Sequence, residues 1–219
     1  MRAGLLDFID TPAQGNKLIP GVTWCADNGC FGKGYPGDTA WFGWLQRQAS
    51  DVATCAFAVA PDVVGDAEAT LERSTPWLEP IRQLGYPVAF VAQNGIENTV
   101  IPWAKIDVIF LGGSAECVRC VWVRPADDRD TKRCPGCHRR LVEWKLGSIA
   151  RRLTAEAKAR GKWVHMGRVN SAKRFHYASL IGCDSADGTY IAKGPDINLP
   201  KMLRWLDESD QLPLFGSVA

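Results

Sequence analysis

The stretch Pro87-Val-Ala-Phe-Val-Ala-Gln-Asn-Gly-Ile-Glu-Asn-Thr-Val-Ile-Pro-Trp-Ala-Lys-Ile-Asp-Val-Ile-Phe-Leu-Gly-Gly113 decides the fold class. It contains two continuous apolar runs, 87–92 and 108–111, each too short for a helix. One is closed by Gln93 and Asn94, the other by Gly112 and Gly113. A strand buried on both faces reads in this way. The same unit recurs at 4–9, 22–26, 54–60, 162–166 and 180–183, with a weaker eighth at 190–192. Helical patterns lie between the runs. Residues 66–84 carry Ala67, Leu71, Trp77, Leu78 and Ile81 near helical spacing despite Pro76 and Pro80. Residues 146–160 end in a basic turn, as a helix C-terminus prefers, and 199–208 read as a closing helix. Strands alternating with helices predict an α/β protein with a parallel sheet, and seven or eight such units predict a compact (β/α)8 TIM-like barrel.

A chain of 219 residues, 46% hydrophobic, builds one sizeable core, so a single barrel over 1–209 is expected, with a Pro-, Gly- and Ser-containing tail at 210–219. No apolar run approaches the roughly 18 residues of a membrane span. Asp7, Asp10 and Lys17 break up the first twenty positions, which disfavours a signal peptide. A cytoplasmic protein with no membrane partner is expected.

Polar residues follow the expected strands at corresponding places: Asp27, Asp62, Gln93, Gly112 with Gly113, Gly167 and Asp184. Each alone fits a turn or a helix cap. In a barrel, however, all six positions converge on the C-terminal rim, where barrel enzymes keep their chemistry.

Cys117-Val-Arg-Cys120 and Cys134-Pro-Gly-Cys137 interrupt the rhythm. Two C-x-x-C knuckles can present four thiolates to one tetrahedral ion, and a structural Zn²⁺ in an insertion at 116–143 is expected. Nothing around them resembles a thioredoxin unit, which disfavours a redox role. His138 adjoins Cys137, and since two adjacent side chains rarely face one ion it is placed outside the ligand set. Cys25, Cys30, Cys55 and Cys183 lie in or beside apolar runs and read as small buried residues.

A formal net charge of +2 hides a segregation: residues 117–174 hold 16 basic and 5 acidic side chains, a net of +11, against −6 before them and −3 after. Such asymmetry is the footprint of a polyanion-binding face, although solvated helix faces give a similar count.

Together these motifs resemble the tRNA-guanine transglycosylase superfamily, in particular its phage and bacterial branch, the DNA 7-deazaguanine transglycosylases (DpdA-like). Ala26-Asp-Asn-Gly-Cys-Phe-Gly32 is similar to the D-S-G-G-F-Q loop, with Cys30 and Gly32 departing from it. Ala60-Pro-Asp-Val-Val-Gly-Asp66 stands where the family has its base-reading aspartate, and Val91-Ala-Gln-Asn-Gly95 resembles V-Q-G-G. Leu111-Gly-Gly-Ser114 corresponds to L-G-G-L, His165-Met-Gly-Arg-Val169 to L-M-G-V-G, and Gly182-Cys-Asp-Ser-Ala-Asp187 to G-V-D-M-F-D. The ordered set spans 22–188. The tRNA enzymes' C-terminal zinc site has no counterpart, and the cysteine insertion stands elsewhere, so DNA is expected in preference to tRNA.

The resemblance implies exchange of guanine in nucleic acid for a free 7-deazaguanine base such as 7-cyano-7-deazaguanine, with Asp184 as nucleophile. Base exchange at C1′ with retention needs two displacements, and a carboxylate can hold the sugar between them. Asp27 suits the acid that protonates the leaving base. Asp62, Gln93 and the N–H of Gly113 would read the base, Met166 would pack on its face, and Gly112 and Gly167 would leave room. A base inside a duplex must be flipped out at a cost of roughly a few kcal/mol. Phosphate contacts from Arg139, Arg140, Lys145, Arg168, Lys173 and Arg174 would offset that cost. Two alternatives stand beside this: exchange on tRNA, and a non-catalytic zinc-dependent nucleic-acid-binding protein. The latter has no use for Asp27 and Asp184 together.

Overall fold

The computed structural model describes residues 6–210, apart from 33, 129 and the side chain of residue 210. The expected tail therefore lies almost wholly outside the described residues. Along the chain run β1 (Phe8–Asp10), β2 (Trp24–Ala26), α1 (Asp38–Arg47), β3 (Cys55–Val59), α2 (Ala67–Gln83), β4 (Val88–Ala92) and β5 (Val108–Leu111). There follow β6 (Ala115–Glu116), β7 (Val142–Glu143), α3 (Ser148–Ala159), β8 (Trp163–Met166), α4 (Ala172–Ile181), β9 (Ser185–Ala186) and α5 (Pro195–Asp210).

Seven strands form one sheet in the order β1-β2-β3-β4-β5-β8-β9, and every pair is parallel. The sheet is strongly curled. β3 and β8 lie three places apart, which in a flat sheet means about 14 Å, yet the rings of Phe57 and His165 meet across the inside at 5.2 Å. Residues of alternating parity divide between two cores. Phe57, Val59, Ala89, Val91, Val108 and Phe110 fill the concave side. Ala58, Phe90, Ile109, Leu111, Val164 and Met166 face outward against the helices, with Trp41, Leu45, Leu78, Ile81 and Leu153. Burial on both faces explains why these strands read as unbroken apolar runs.

Helix α2 begins as its sequence predicts: the Asp66 carboxylate accepts from the Ala69 N–H at 3.0 Å and caps the first turn. Pro76 is exposed and Pro80 half-buried, one turn apart on the outer face. The missing donors therefore leave no core group unpaired.

Three expectations are corrected. β1 and β9 are not paired with each other among the described residues, and 190–192, expected as an eighth strand, begins a 3-10 turn (Ile191–Lys193) before α5. The architecture is a curled seven-stranded α/β sheet, and a complete (β/α)8 barrel is not formed by these residues. The run 180–183 is no strand either. It is the end of α4, closed by Gly182 in the left-handed region (φ 93°). Among the described residues no helix is long and apolar enough to cross a membrane.

Candidate active site and metal centre

The parallel order places the C-terminal ends of all seven strands on one rim. Asp27 follows β2, Asp62 lies three residues past β3, Gln93 follows β4, Gly112 and Gly113 follow β5, Gly167 and Arg168 follow β8, and Asp187 follows β9. The curl brings the first and last of these together: the charges of Asp187 and Asp62 both act on the Asp27 carboxyl. Burial is the main cause that pushes this carboxyl up to about 7. The amides of Gly29 and Asn28 oppose the shift, and the two neighbouring carboxylates add to it.

Asp62 is held from both sides. Asn28 Nδ2 donates to Oδ1 at 2.9 Å and Gln93 Nε2 to Oδ2 at 2.6 Å. Burial outweighs these bonds and raises its carboxyl above the usual range. Gln93 Oε1 accepts from the N–H groups of Gly65 (2.8 Å) and Gly113 (2.9 Å), so the loops after β3, β4 and β5 form one hydrogen-bonded unit. Arg73 of α2 secures this unit from outside, donating to the Asp62 carbonyl at 2.8 Å while paired with Asp38 at 2.6 Å.

Several sequence assignments move. Asp184 is not on the rim. It precedes β9, where its carboxylate accepts from the Val164 N–H (2.8 Å) and pairs with Lys158 of α3, at the strands' N-terminal end. The rim position belongs to Asp187, whose Oδ1 accepts from His165 Nε2 at 3.0 Å and from the Arg168 N–H at 3.3 Å. Met166 is fully buried on the helix side and packs on no rim surface. Gly113 offers no open N–H: that group bonds Gln93, and a Cβ there would come within 2.5 Å of the Trp144 ring. Gly112 makes room for Val91 and Gln93, and Gly167 for the Phe110 ring.

Of the six basic candidates, Arg139, Arg140 and Lys173 are exposed. Arg174 is half-buried and pairs with Glu143 at 3.5 Å. Arg168 lies on the rim, its guanidinium donating to the Gly113 carbonyl and lying 4.1 Å from the Phe31 ring centre. Lys145 is no surface cation. It is 1% exposed, donates to the Gly167 carbonyl at 2.6 Å, and burial, helped by Arg168, pushes its ammonium down to about 7. Sequence reasoning also missed His165, Asn28 and Phe31, for which a W-x-H and S-x-D pairing of strands and an exposed aromatic in a glycine-containing loop were the available signals.

Between β6 and β7 the chain makes two hairpins, marked by the bridges Glu116 to Val123 and Arg133 to Arg140. Their tips carry the cysteine pairs. The sulfurs of Cys117, Cys120, Cys134 and Cys137 lie within 4.8 Å of one another. Tetrahedral zinc–thiolate bonds would place sulfurs about 3.8 Å apart, and the Cys117 to Cys137 separation of 3.4 Å excludes a disulfide between them. Both tips turn alike. The residue after each second cysteine, Val121 and His138, has φ 57°, and its N–H reaches the carbonyl of the first cysteine at 2.9 and 2.8 Å. A β-branched residue in that region is strained, as expected where ligand geometry dictates the backbone. The four cysteines could bind a metal such as zinc, and His138 stays outside the cluster. Cys25, Cys30, Cys55 and Cys183 are free thiols pushed up by burial.

The cysteine segment is tied to the rim. Ser114 Oγ donates to the Arg124 carbonyl (2.8 Å), Asn94 Nδ2 to Glu116 (2.7 Å), and Gly65 abuts Val123 so closely that a Cβ would meet it at 3.0 Å.

No family model matches the chain, and no curated protein matches it. Among solved structures it is similar to the Amycolatopsis orientalis BexX/CysO complex, at 12% identity and a TM-score of 0.54, covering 100% of this chain and 86% of that one. At such identity the likeness speaks for the curled α/β fold alone.

Proposed function

We propose that this chain is a guanine transglycosylase acting on nucleic acid, DNA in preference to tRNA, that exchanges guanine for a 7-deazaguanine base. The observation that carries this reading is the pair Asp27 and Asp187 on one rim, the first pushed up to about 7 and the second held on Oδ1 by two N–H donors. Asp187 Oδ2 would attack C1′ as the C1′–N9 bond breaks, and the departing guanine would take the Asp27 proton. The incoming base would then lose its N9 proton to Asp27 and attack C1′, releasing Asp187 with overall retention. Asp62, with its donors Asn28 and Gln93, would accept from the base edge. Lys145 would shape the pocket floor instead of gripping phosphate.

Mass spectrometry of nucleosides from DNA and tRNA of cells expressing the protein tests the reading. A 7-deazaguanine nucleoside in DNA supports it, one in tRNA alone moves the substrate to tRNA, and none in either removes the activity.

The metal would be one structural Zn²⁺ on Cys117, Cys120, Cys134 and Cys137. Metal analysis should find about one equivalent per chain, falling to background in Cys117→Ser/Cys134→Ser. Chelation should loosen the insertion while the sheet's circular dichroism persists, because neither core contains a metal ligand. Loss of the whole fold on chelation would contradict this.

Exposed Arg139 and Arg140 beside the metal centre would contact phosphates. Affinity should fall steeply with salt, by about 0.9 in log K per log salt for each duplex phosphate neutralised. Arg139→Glu/Arg140→Glu should lower that slope by about 2 across sequences. An unchanged slope would make the basic segment a solvated surface only.

A further inference from the structure

Strands β8 and β9 pair so that His165 stands opposite Ser185. Trp163 and His165 share the inner face of β8, Ser185 and Asp187 that of β9, because side chains two apart point the same way. The four groups therefore interlock as a zigzag from the foot of the sheet to its rim. Trp163 Nε1 lies 2.9 Å from Ser185 Oγ, Ser185 Oγ 2.8 Å from His165 Nδ1, and His165 Nε2 3.0 Å from Asp187 Oδ1.

The direction of each bond follows from donor and acceptor inventory. The Asp187 carboxylate only accepts, so His165 Nε2 carries the proton it shares. A neutral imidazole then accepts at Nδ1 from the Ser185 hydroxyl, whose oxygen accepts in turn from the Trp163 indole N–H. Every donor in the chain is used once. The imidazole is 3% exposed and wedged between Phe57 and Phe110, with ring centres 5.2 and 4.6 Å away, so it has little room to turn. Both hydrogen bonds to the Asp187 carboxylate fall on Oδ1, and among the described residues none reaches Oδ2.

We propose that His165 is a positioning residue for Asp187: wedged between Phe57 and Phe110 and supported at Nδ1 by Ser185, it donates from Nε2, anchors Oδ1 and turns Oδ2 toward the substrate's C1′. The inference rests on the base-exchange reading, in which Asp187 is the nucleophile. It assigns a task to a buried histidine that the exchange chemistry itself does not use.

Two measurements on the full chain test it. Long-range ¹⁵N–¹H spectra resolve imidazole tautomers, and with three histidines in the chain the His165 signals are identified by their loss in His165→Gln. The wild type should show Nε2–H, and Asp187→Ala, which removes the acceptor at Nε2, should let Nδ1–H appear. An Nδ1–H tautomer in the wild type, or a spectrum indifferent to Asp187→Ala, overturns the proposal without reference to activity. Single-turnover base exchange is the second readout. His165→Leu should lose about 10²-fold in rate, the scale of a misplaced reacting group, with KM for nucleic acid unchanged. His165→Gln, which retains an N–H near the Nε2 position, should recover most of the loss. Equal loss in both variants, or a full rate in His165→Leu, overturns the proposal, and the tautomer readout keeps it testable should the Leu variant fail to fold. A wild-type protein that exchanges no base fails the functional reading instead, whichever tautomer it shows.

Discussion

Asp187→Asn is expected to lower base exchange by about 10⁴-fold or more, the scale on which lone nucleophiles are lost, while Asp184→Asn runs near the wild-type rate. The resemblance to the transglycosylases implies Asp184, and the backbone separates the two. Asp184 stands before β9, its carboxylate occupied by the Val164 N–H and by Lys158 on the outer helix. Asp187 stands after β9 on the rim shared with Asp27. An asparagine at 184 can still accept from Val164 but loses the partly exposed ion pair, so thermal unfolding should fall by no more than about 1 kcal/mol. At 187 an amide preserves shape and the bond from His165 while removing the charge that attacks C1′. Single-turnover exchange and trapping of a covalent complex decide between them. An active Asp187→Asn protein beside a dead Asp184→Asn protein would return the nucleophile to Asp184 and refute the rim geometry as the site.

The three-residue slip from Asp187 to Asp184 shows where sequence reasoning reaches its limit in this fold. β3, β4 and β5 were legible because burial on two faces makes each an unbroken apolar run, and β8 (Trp-Val-His-Met) departs from that pattern only at His165. β9 is two residues long and contains a serine, so it carries no such signal. The neighbouring Leu180-Ile-Gly-Cys183 imitates one, because the last turn of α4 and its left-handed glycine cap look locally like a strand and its turn. Parity was equally invisible: Met166 faces the helices and His165 the interior, and a continuous run offers no alternation to tell them apart. The +11 segment was a sound count but a poor map, since it pooled the exposed Arg139 and Arg140 with Lys145, which lies beneath the rim. The cysteine cluster was the most legible feature, because its ligands are local in sequence and their spacing is itself the geometry.

Asp27 should make both stability and activity fall as pH rises toward and through about 7. A carboxyl pushed up to about 7 is protonated in the folded chain at pH 6, whereas in the unfolded chain it ionises near 3.9. The native state thus binds the extra proton between roughly pH 4 and 7, and stability due to this group falls as pH rises through that window. Above it the folded protein holds a half-buried carboxylate beside Asp62 and Asp187. Asp27→Asn should therefore match the wild type in urea unfolding at pH 4 and exceed it at pH 8 by roughly 2–4 kcal/mol, on the order of 1.4 kcal/mol per unit of displacement. The same substitution should lower exchange by about 10²–10⁴-fold, the range for a lost general acid, and a better leaving base should restore part of it. In the wild type, kcat/KM should decline as pH rises through about 7, where the acid loses its proton. Asp187→Asn removes one of the charges that repel Asp27, so in that background the stability gain from Asp27→Asn at pH 8 should shrink. If the gain is the same at pH 4 and pH 8, Asp27 is ionised throughout, and the proton for the leaving base must come from another group.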